Sequence, residues 1–248
     1  MNDMIPMGVE QSQSKVEIVN AYLRGVYRWM LFGLLITALS SYLTVYTPLS
    51  ALFYNVVVDQ ASGTALMAPT MLFWALIIGE LGLVFYLIAR ISRLSAMTAS
   101  GLFLFYSLLN GVTISSILLI YTFSSVVYTF LICAVMFGGM SLYGLITKKD
   151  LTSWGSFLIM GLFGVLLAMI VNIFLGSQQL GYVISIIGVL VFTGLTAYDT
   201  QRLKVMGESM PAGDATAVRR GTILGALTLY LDFINLFLML LQLFGSRR

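Results

Sequence analysis

The sequence predicts an all-α membrane protein with seven transmembrane helices, and three observations predict it. The first is composition. Only 9% of the 248 residues are charged and 59% are hydrophobic, with a mean hydropathy of +0.97. Soluble domains carry about 25% charged and 45–50% apolar residues, so a soluble globule of this composition would have a largely greasy surface. An ordinary soluble protein, a disordered chain and a nucleic-acid binder are all excluded. The formal net charge is only +3, and the cations lie in small scattered clusters rather than a basic face. The second observation is a set of seven apolar runs, each close to the ~20 residues that cross a bilayer. The third is the placement of Lys and Arg, which fall in alternate connections.

Residues 1–25 read as a polar tail, with Asp3, Glu10, Lys15 and Glu17, and residues 26–248 as one seven-helix domain. The tail is no signal peptide: the first apolar run starts only after Arg28, too late for an n-region, and no small-residue cleavage site follows. The spans are expected at Trp29–Tyr46, Met71–Ala89, Ala96–Leu119, Val126–Ile146, Trp154–Leu175, Tyr182–Leu203 and Thr222–Phe244. Their connections are short, except Thr47–Thr70 and Lys204–Arg220. Gly207, Pro211 and Gly213 in the latter predict a turn-rich loop.

The cations set an orientation. Lys15, Arg24 and Arg28 precede the first span, and Arg90 and Arg93 separate the second from the third. Lys148 and Lys149 follow the fourth, and Arg202, Lys204, Arg219 and Arg220 lie between the sixth and seventh. All fall on one side, while the other three connections carry only Asp59. The positive-inside rule then places the N-terminus in the cytosol. Arg247 and Arg248 break this pattern. Either the seventh segment crosses regardless, which its length allows, or it re-enters and returns the tail to the cytosol.

With no histidine and one cysteine, Cys133, in an apolar run, the chain offers no intrachain disulfide, no Cys or His metal site and no Ser-His-Asp triad. Cys133 reads as a small buried hydrophobe. Any response to pH falls to carboxylates. Three of these lie within spans: Glu80 in the second, Asp199 in the sixth and Asp232 in the seventh. A charge at mid-bilayer costs at least ~2.5–3.5 kcal/mol on insertion scales, so such residues face the bundle interior or water and find partners.

At 1.5 Å per residue, Asp199 lies about one turn from the end of its helix, level with Arg90 at the same end of the second. Asp232 and Glu80 each lie roughly 15 Å into their spans. Arg90, Asp199 and Asp232 are expected to cluster, with Glu80 in a second layer. Thr228, Asp232 and Asn235 share one face of the seventh helix. Asn110 and Asn172 are further polar residues within spans. Glu80, Asn110, Asn172, Thr228 and Asn235 are thus the candidates to line a pore or ion path. Plainer readings stand beside these: Asp199 pairing locally with Arg202, and the asparagines acting as interhelical hydrogen-bond glue. Gly221 and Gly225 form a small-residue step that lets another helix approach the seventh.

Two segments carry a resemblance. Ile184–Lys204, which contains Thr196-Ala197-Tyr198-Asp199-Thr200-Gln201, resembles the sixth helix of the Bax inhibitor family, also called the transmembrane Bax inhibitor motif family. Leu229–Gly245, which contains Tyr230-Leu231-Asp232-Phe233-Ile234-Asn235, resembles its last helix. The resemblance implies six helices in two layers around a central C-terminal helix. It further implies a pH-sensitive calcium leak channel gated by an aspartate pair, here Asp199 and Asp232. Arg90, with Arg93 as the alternative, would be the counter-charge that pairs with Asp199. The short end Ser246-Arg247-Arg248 departs from the long charged tails of eukaryotic members and suggests a bacterial inner-membrane homologue.

The chemistry agrees with this reading. Two carboxylates in contact at low dielectric do not both ionise cheaply, and they titrate as a pair. Sharing a proton ties their helices together; full ionisation drives them apart. Calcium prefers oxygen ligands, so Asp199 and Asp232 would hold it transiently as cargo, and no resident cofactor is expected. The alternative function is an interaction protein that modulates a membrane protease or a stress or cell-death pathway. An enzyme is not expected. Paired aspartates suit intramembrane proteolysis, but Leu229-Tyr230-Leu231 precedes Asp232 where such proteases carry Gly-x-Gly. The lipid bilayer and calcium are the expected partners, with a membrane protease as a further candidate.

Overall fold

The computed structural model describes residues 7–58, 65–210 and 214–248. In chain order the elements are α1 (Met7–Tyr46), α2 (Ser50–Phe53), β1 (Tyr54–Val58), β2 (Ala65–Pro69), α3 (Met71–Arg90), α4 (Ala96–Ile114), α5 (Ser116–Ile120), α6 (Phe123–Ile146), α7 (Thr152–Leu175), α8 (Gln178–Glu208) and α9 (Ala215–Phe244). Among the described residues, seven helical stretches are long and apolar enough to cross a membrane: α1 from Val16, α3, α4 continued by α5, α6, α7, α8 and α9. The all-α, seven-span class is the one the sequence predicts.

Local chemistry fixes the ends. The Thr70 hydroxyl caps α3 by accepting from the Phe73 N–H at 3.3 Å, and Ser95 caps α4 by accepting from the Thr98 N–H at 3.0 Å. Ser177 does the same for α8, accepting from the Leu180 N–H. These are the side chains that favour N-caps, because they satisfy backbone donors the first helical turn leaves open. Gly176 ends α7 in the left-handed region at φ 60°, a conformation that glycine adopts without a Cβ penalty.

Three features differ from the expectation. First, α1 begins at Met7 and runs unbroken through the first span, far ahead of Trp29. Val19, Tyr22, Leu23, Val26 and Met30 are all buried, and their spacing makes an apolar stripe along one helical face. That stripe supports a helix before the chain is apolar enough for lipid. Second, Gly207 is not a turn residue but lies inside α8. A Cβ there would stand 3.0 Å from the Tyr22 ring, so this glycine provides close packing. Pro211, Gly213 and Asp59 lie outside the described residues. Third, the Thr47–Thr70 connection holds an antiparallel pair, β1 with β2, in which Tyr54 opposes Pro69 and Val56 opposes Met67.

The chain divides into two compact units. One contains α1 through Met30, α6 from Thr129, and α7, α8 and α9. Within it α8 packs on both α7 and α9. The most apolar window of α9 is 72% buried, against 11% for α7. Phe233 of α9 lies edge-on to Phe130 and Phe137 of α6, with ring centroids 5.3 and 5.4 Å apart. The Gly221–Gly225 step works as its composition suggests. The Tyr22 hydroxyl donates to the Gly221 carbonyl at 3.3 Å, and a Cβ at Gly225 would stand 2.8 Å from Leu203 and 3.0 Å from Val26.

The second unit spans Leu31–Tyr128 and Gly245–Arg248. Here α3 packs on α4. Thr37 and Ser40 of α1 donate to the Ser107 and Leu108 carbonyls of α4, both at 2.8 Å. A Cβ at Gly111 would fall 2.4 Å from the Thr37 carbonyl oxygen; small residues let these backbones meet. The Tyr54 hydroxyl shares a 2.8 Å hydrogen bond with Ser115 at the α4–α5 junction, and burial raises its pKa. After α9, which is one unbroken helix, Arg247 bridges Tyr121, and the Arg248 N–H donates to the Ile120 carbonyl at 3.0 Å. An uninterrupted 30-residue helix has the length of a full crossing rather than a re-entrant turn.

Candidate functional site

Asp199 and Asp232 come together within the first unit. Both face the packed interface of α8 and α9, at 8% and 6% exposure. Their side chains are hydrogen-bonded to each other. Two carboxyl groups in contact at low dielectric do not both ionise cheaply. The second oxygen of Asp232, Oδ2, is buried without a hydrogen-bond partner. Arg202 lies one turn after Asp199 on the same helix and acts on it electrostatically.

Small and hydroxylated side chains bring the surrounding helices close. Thr196 and Thr200, flanking Asp199, are fully buried. Thr200 donates to Ser141 of α6 at 3.3 Å. A Cβ on Gly144 of α6 would stand 2.3 Å from the Ala197 carbonyl oxygen. Among the described residues, no group of three or more Asp, Glu, Cys or His gathers anywhere. Two carboxylates supply fewer oxygens than the six to eight that calcium takes.

A second polar site lies in the other unit. Glu80 of α3 is 7% exposed. Asn110 donates to its Oε1, Thr113 donates to its Oε2 at 2.8 Å, and Tyr106 also bonds to it. Tyr106, Asn110 and Thr113 recur at i, i+4 and i+7 on α4, the spacing that singled out Thr228, Asp232 and Asn235 on α9. Tyr106 and Thr113 were missed by the sequence reading, although this spacing marks them.

The remaining candidates are placed differently. Thr228 and Asn235 are half-buried and bond to carbonyls of their own helix, Leu224 at 3.1 Å and Leu231 at 2.8 Å. Asn172 accepts from the Ser177 N–H at 3.1 Å and so braces the α7–α8 turn. That turn lies roughly 33 Å along α8 from Asp199. Arg90 is an exposed residue in the last turn of α3, and Arg93 follows it, exposed as well. Cys133 is buried, with its thiol 3.7 Å from the Phe233 carbonyl.

Comparison with known proteins places this arrangement in a family. Residues 19–248 match the family described as Inhibitor of apoptosis-promoting Bax1. Inner membrane protein YbhL of Escherichia coli is 47% identical over 231 residues, 93% of each chain. A Borreliella burgdorferi protein is 43% identical over 242 residues, covering 97% of this chain and 99% of its own. A Rickettsia prowazekii protein is 41% identical over 94% of this chain and 92% of its own. With seven helices able to span a bilayer and a match over most of its length, the chain is a multi-pass integral membrane protein of the Bax inhibitor family.

Proposed function

We propose that the protein is a pH-sensitive calcium leak channel of the inner, cytoplasmic membrane, with its N-terminus in the cytosol and with Asp199 and Asp232 as its gate. It acts by conduction rather than by catalysis and needs no cofactor. The observation that carries this reading is the buried carboxyl–carboxyl contact between α8 and α9. With a proton shared, the pair ties the two helices. As pH rises the proton leaves, the like charges repel at low dielectric, and the helices separate. Carboxylate oxygens freed by that step are hard ligands that calcium accepts in transit. Glu80, held by Asn110 and Thr113, is a separate polar site of the other unit.

The orientation rests on the alternate placement of Lys and Arg, and the choice of membrane on the similarity to YbhL. Calcium flux into dye-loaded liposomes, measured across pH with Asp232→Asn in parallel, tests the reading. A flux that rises with pH in the wild type and loses that dependence in the variant supports it. No flux above empty liposomes at any pH refutes it and leaves a partner-binding protein, with a membrane protease as the first partner to try.

A further inference from the structure

The first unit carries a groove that plays no part in the aspartate gate. It has a volume of about 510 Å³ and opens between α6, α7 and α8. Its walls are Met140 and Tyr143 of α6, Trp154 and Phe157 of α7, and Leu190 and Tyr198 of α8. Tyr143, Trp154, Phe157 and Leu190 are exposed. Glycines let α7 and α8 close against each other at its floor. A Cβ at Gly155 would stand 2.4 Å from the Tyr198 ring, and one at Gly194 would stand 2.6 Å from Leu158. From Leu190 to Tyr198 the groove follows α8 for roughly 12 Å.

Its mouth is polar and fixed in place. Lys149, Asp150 and Leu151 of the α6–α7 connection line it. Gln201 of α8 clamps this connection, donating to the Lys149 carbonyl and accepting from the Leu151 N–H, both at 2.8 Å. The Asp150 carboxylate is turned onto the first turn of α7, accepting from the Thr152 N–H at 2.9 Å. Those hydrogen bonds hold its carboxyl below its usual pKa. The Lys149 side chain is exposed beside it, with Lys148 adjacent.

We propose that this groove is a binding site for an anionic phospholipid, whose acyl chain lies along α8 and whose phosphate meets Lys149. Three observations favour that occupant. The groove is apolar along its length, and its mouth carries Lys149 with Lys148 adjacent against the single carboxylate of Asp150, a net positive charge that matches an acyl chain ending in an anionic headgroup. Trp154 and Tyr143 flank the mouth, and such amphipathic rings favour the headgroup level. A helix of 10–12 Å diameter would need roughly 900–1,400 Å³ over the same length, so the space suits a slimmer chain. The proposal stands independently of the channel reading.

Trp154 is its own reporter. The full-length chain with Trp29→Phe and Trp74→Phe keeps it as the sole tryptophan of the original three. This protein is reconstituted in phosphatidylcholine vesicles with added brominated phosphatidylglycerol or brominated phosphatidylethanolamine. The expected result is quenching of Trp154 at a lower mole fraction of the anionic lipid. Lys149→Gln should cut that preference about fivefold, the effect of one lysine near an anionic surface. Lys149→Arg should keep it, and Arg93→Gln should leave it unchanged. Soluble glycerol phosphate should not relieve the quenching. Equal quenching by the two lipids, an unchanged preference in Lys149→Gln, or an equal loss in Arg93→Gln overturns the proposal. Full relief by glycerol phosphate also overturns it and assigns the mouth to free phosphate esters.

Discussion

The two units each bury a carboxylate in a membrane-spanning helix, and they satisfy it in opposite ways. Glu80 is surrounded by neutral donors, Asn110, Thr113 and Tyr106. Both of its oxygens are bonded, and nothing nearby repels it. Asp232 faces another carboxyl and leaves one oxygen buried without a partner. A buried polar group that lacks a partner costs about 1–3 kcal/mol, a cost the fold avoids at Glu80 and accepts at Asp232. The first arrangement satisfies its carboxyl with neutral partners; the second sets two carboxyl groups against each other, and the proposed gate rests on that second arrangement.

This contrast can be broken most directly at the pair. Asp232→Asn keeps a hydrogen bond to Asp199 and removes the mutual repulsion, so calcium flux should lose its pH response. A pH profile as steep as that of the wild type would mean the pair is not the gate. At the other site, Glu80→Leu should leave the pH response in place but strand Asn110 and Thr113, costing about 1–3 kcal/mol for each unsatisfied group. The readout is the unfolding temperature of the detergent-purified protein, and Glu80→Gln should recover most of the loss. If Glu80→Leu instead flattened the pH profile, the two carboxylate sites would share the gating role.

Smaller effects sharpen the comparison. Gly144→Ala places a methyl against the Ala197 carbonyl, two residues before Asp199. It should destabilise by about 1–3 kcal/mol, whereas Gly138→Ala, with open space around it, should be neutral or slightly stabilising in the same thermal assay. Thr228→Val should be the mildest, within about 0.5 kcal/mol, because the Thr228 hydroxyl bonds only the Leu224 carbonyl of its own helix. A large loss of flux in Thr228→Val would show that this hydroxyl meets the ion path.

The sequence makes some of this plain and hides the rest for identifiable reasons. Span ends such as Tyr46, Met71, Ala96, Ile146, Leu175 and Phe244 coincide with helix ends, because there the apolar run and the helix stop together. At Met7, Gln178 and Glu208 they do not: lipid requires apolarity, while a helix continues until its backbone is capped or broken. The meeting of Asp199 and Asp232 was legible through the resemblance of their two segments to the family; depth arithmetic alone, which set them about one turn and roughly 15 Å into their spans, does not reach it. The partners of Glu80 were also within reach, through the spacing of Tyr106, Asn110 and Thr113. The β1–β2 pair was not. Val56 and Val57 favour strands, but five-residue strands offer too short a pattern to separate from a loop.

The burial difference between α7 and α9 has a consequence for how freely each varies. Most of α7 faces outward, with only 11% of its most apolar window buried, so lipid is its main constraint and one aliphatic residue serves about as well as another. Along the apolar part of α9 most positions answer to a particular neighbour, as Met239 answers to Gly188, whose absent Cβ would stand 2.8 Å from its sulfur. In a saturation library selected for correctly folded protein, Leu-to-Ile and Leu-to-Val exchanges should pass along α7 and be purged along α9. The tolerated alphabet would then separate a helix read by the membrane from one read by the protein.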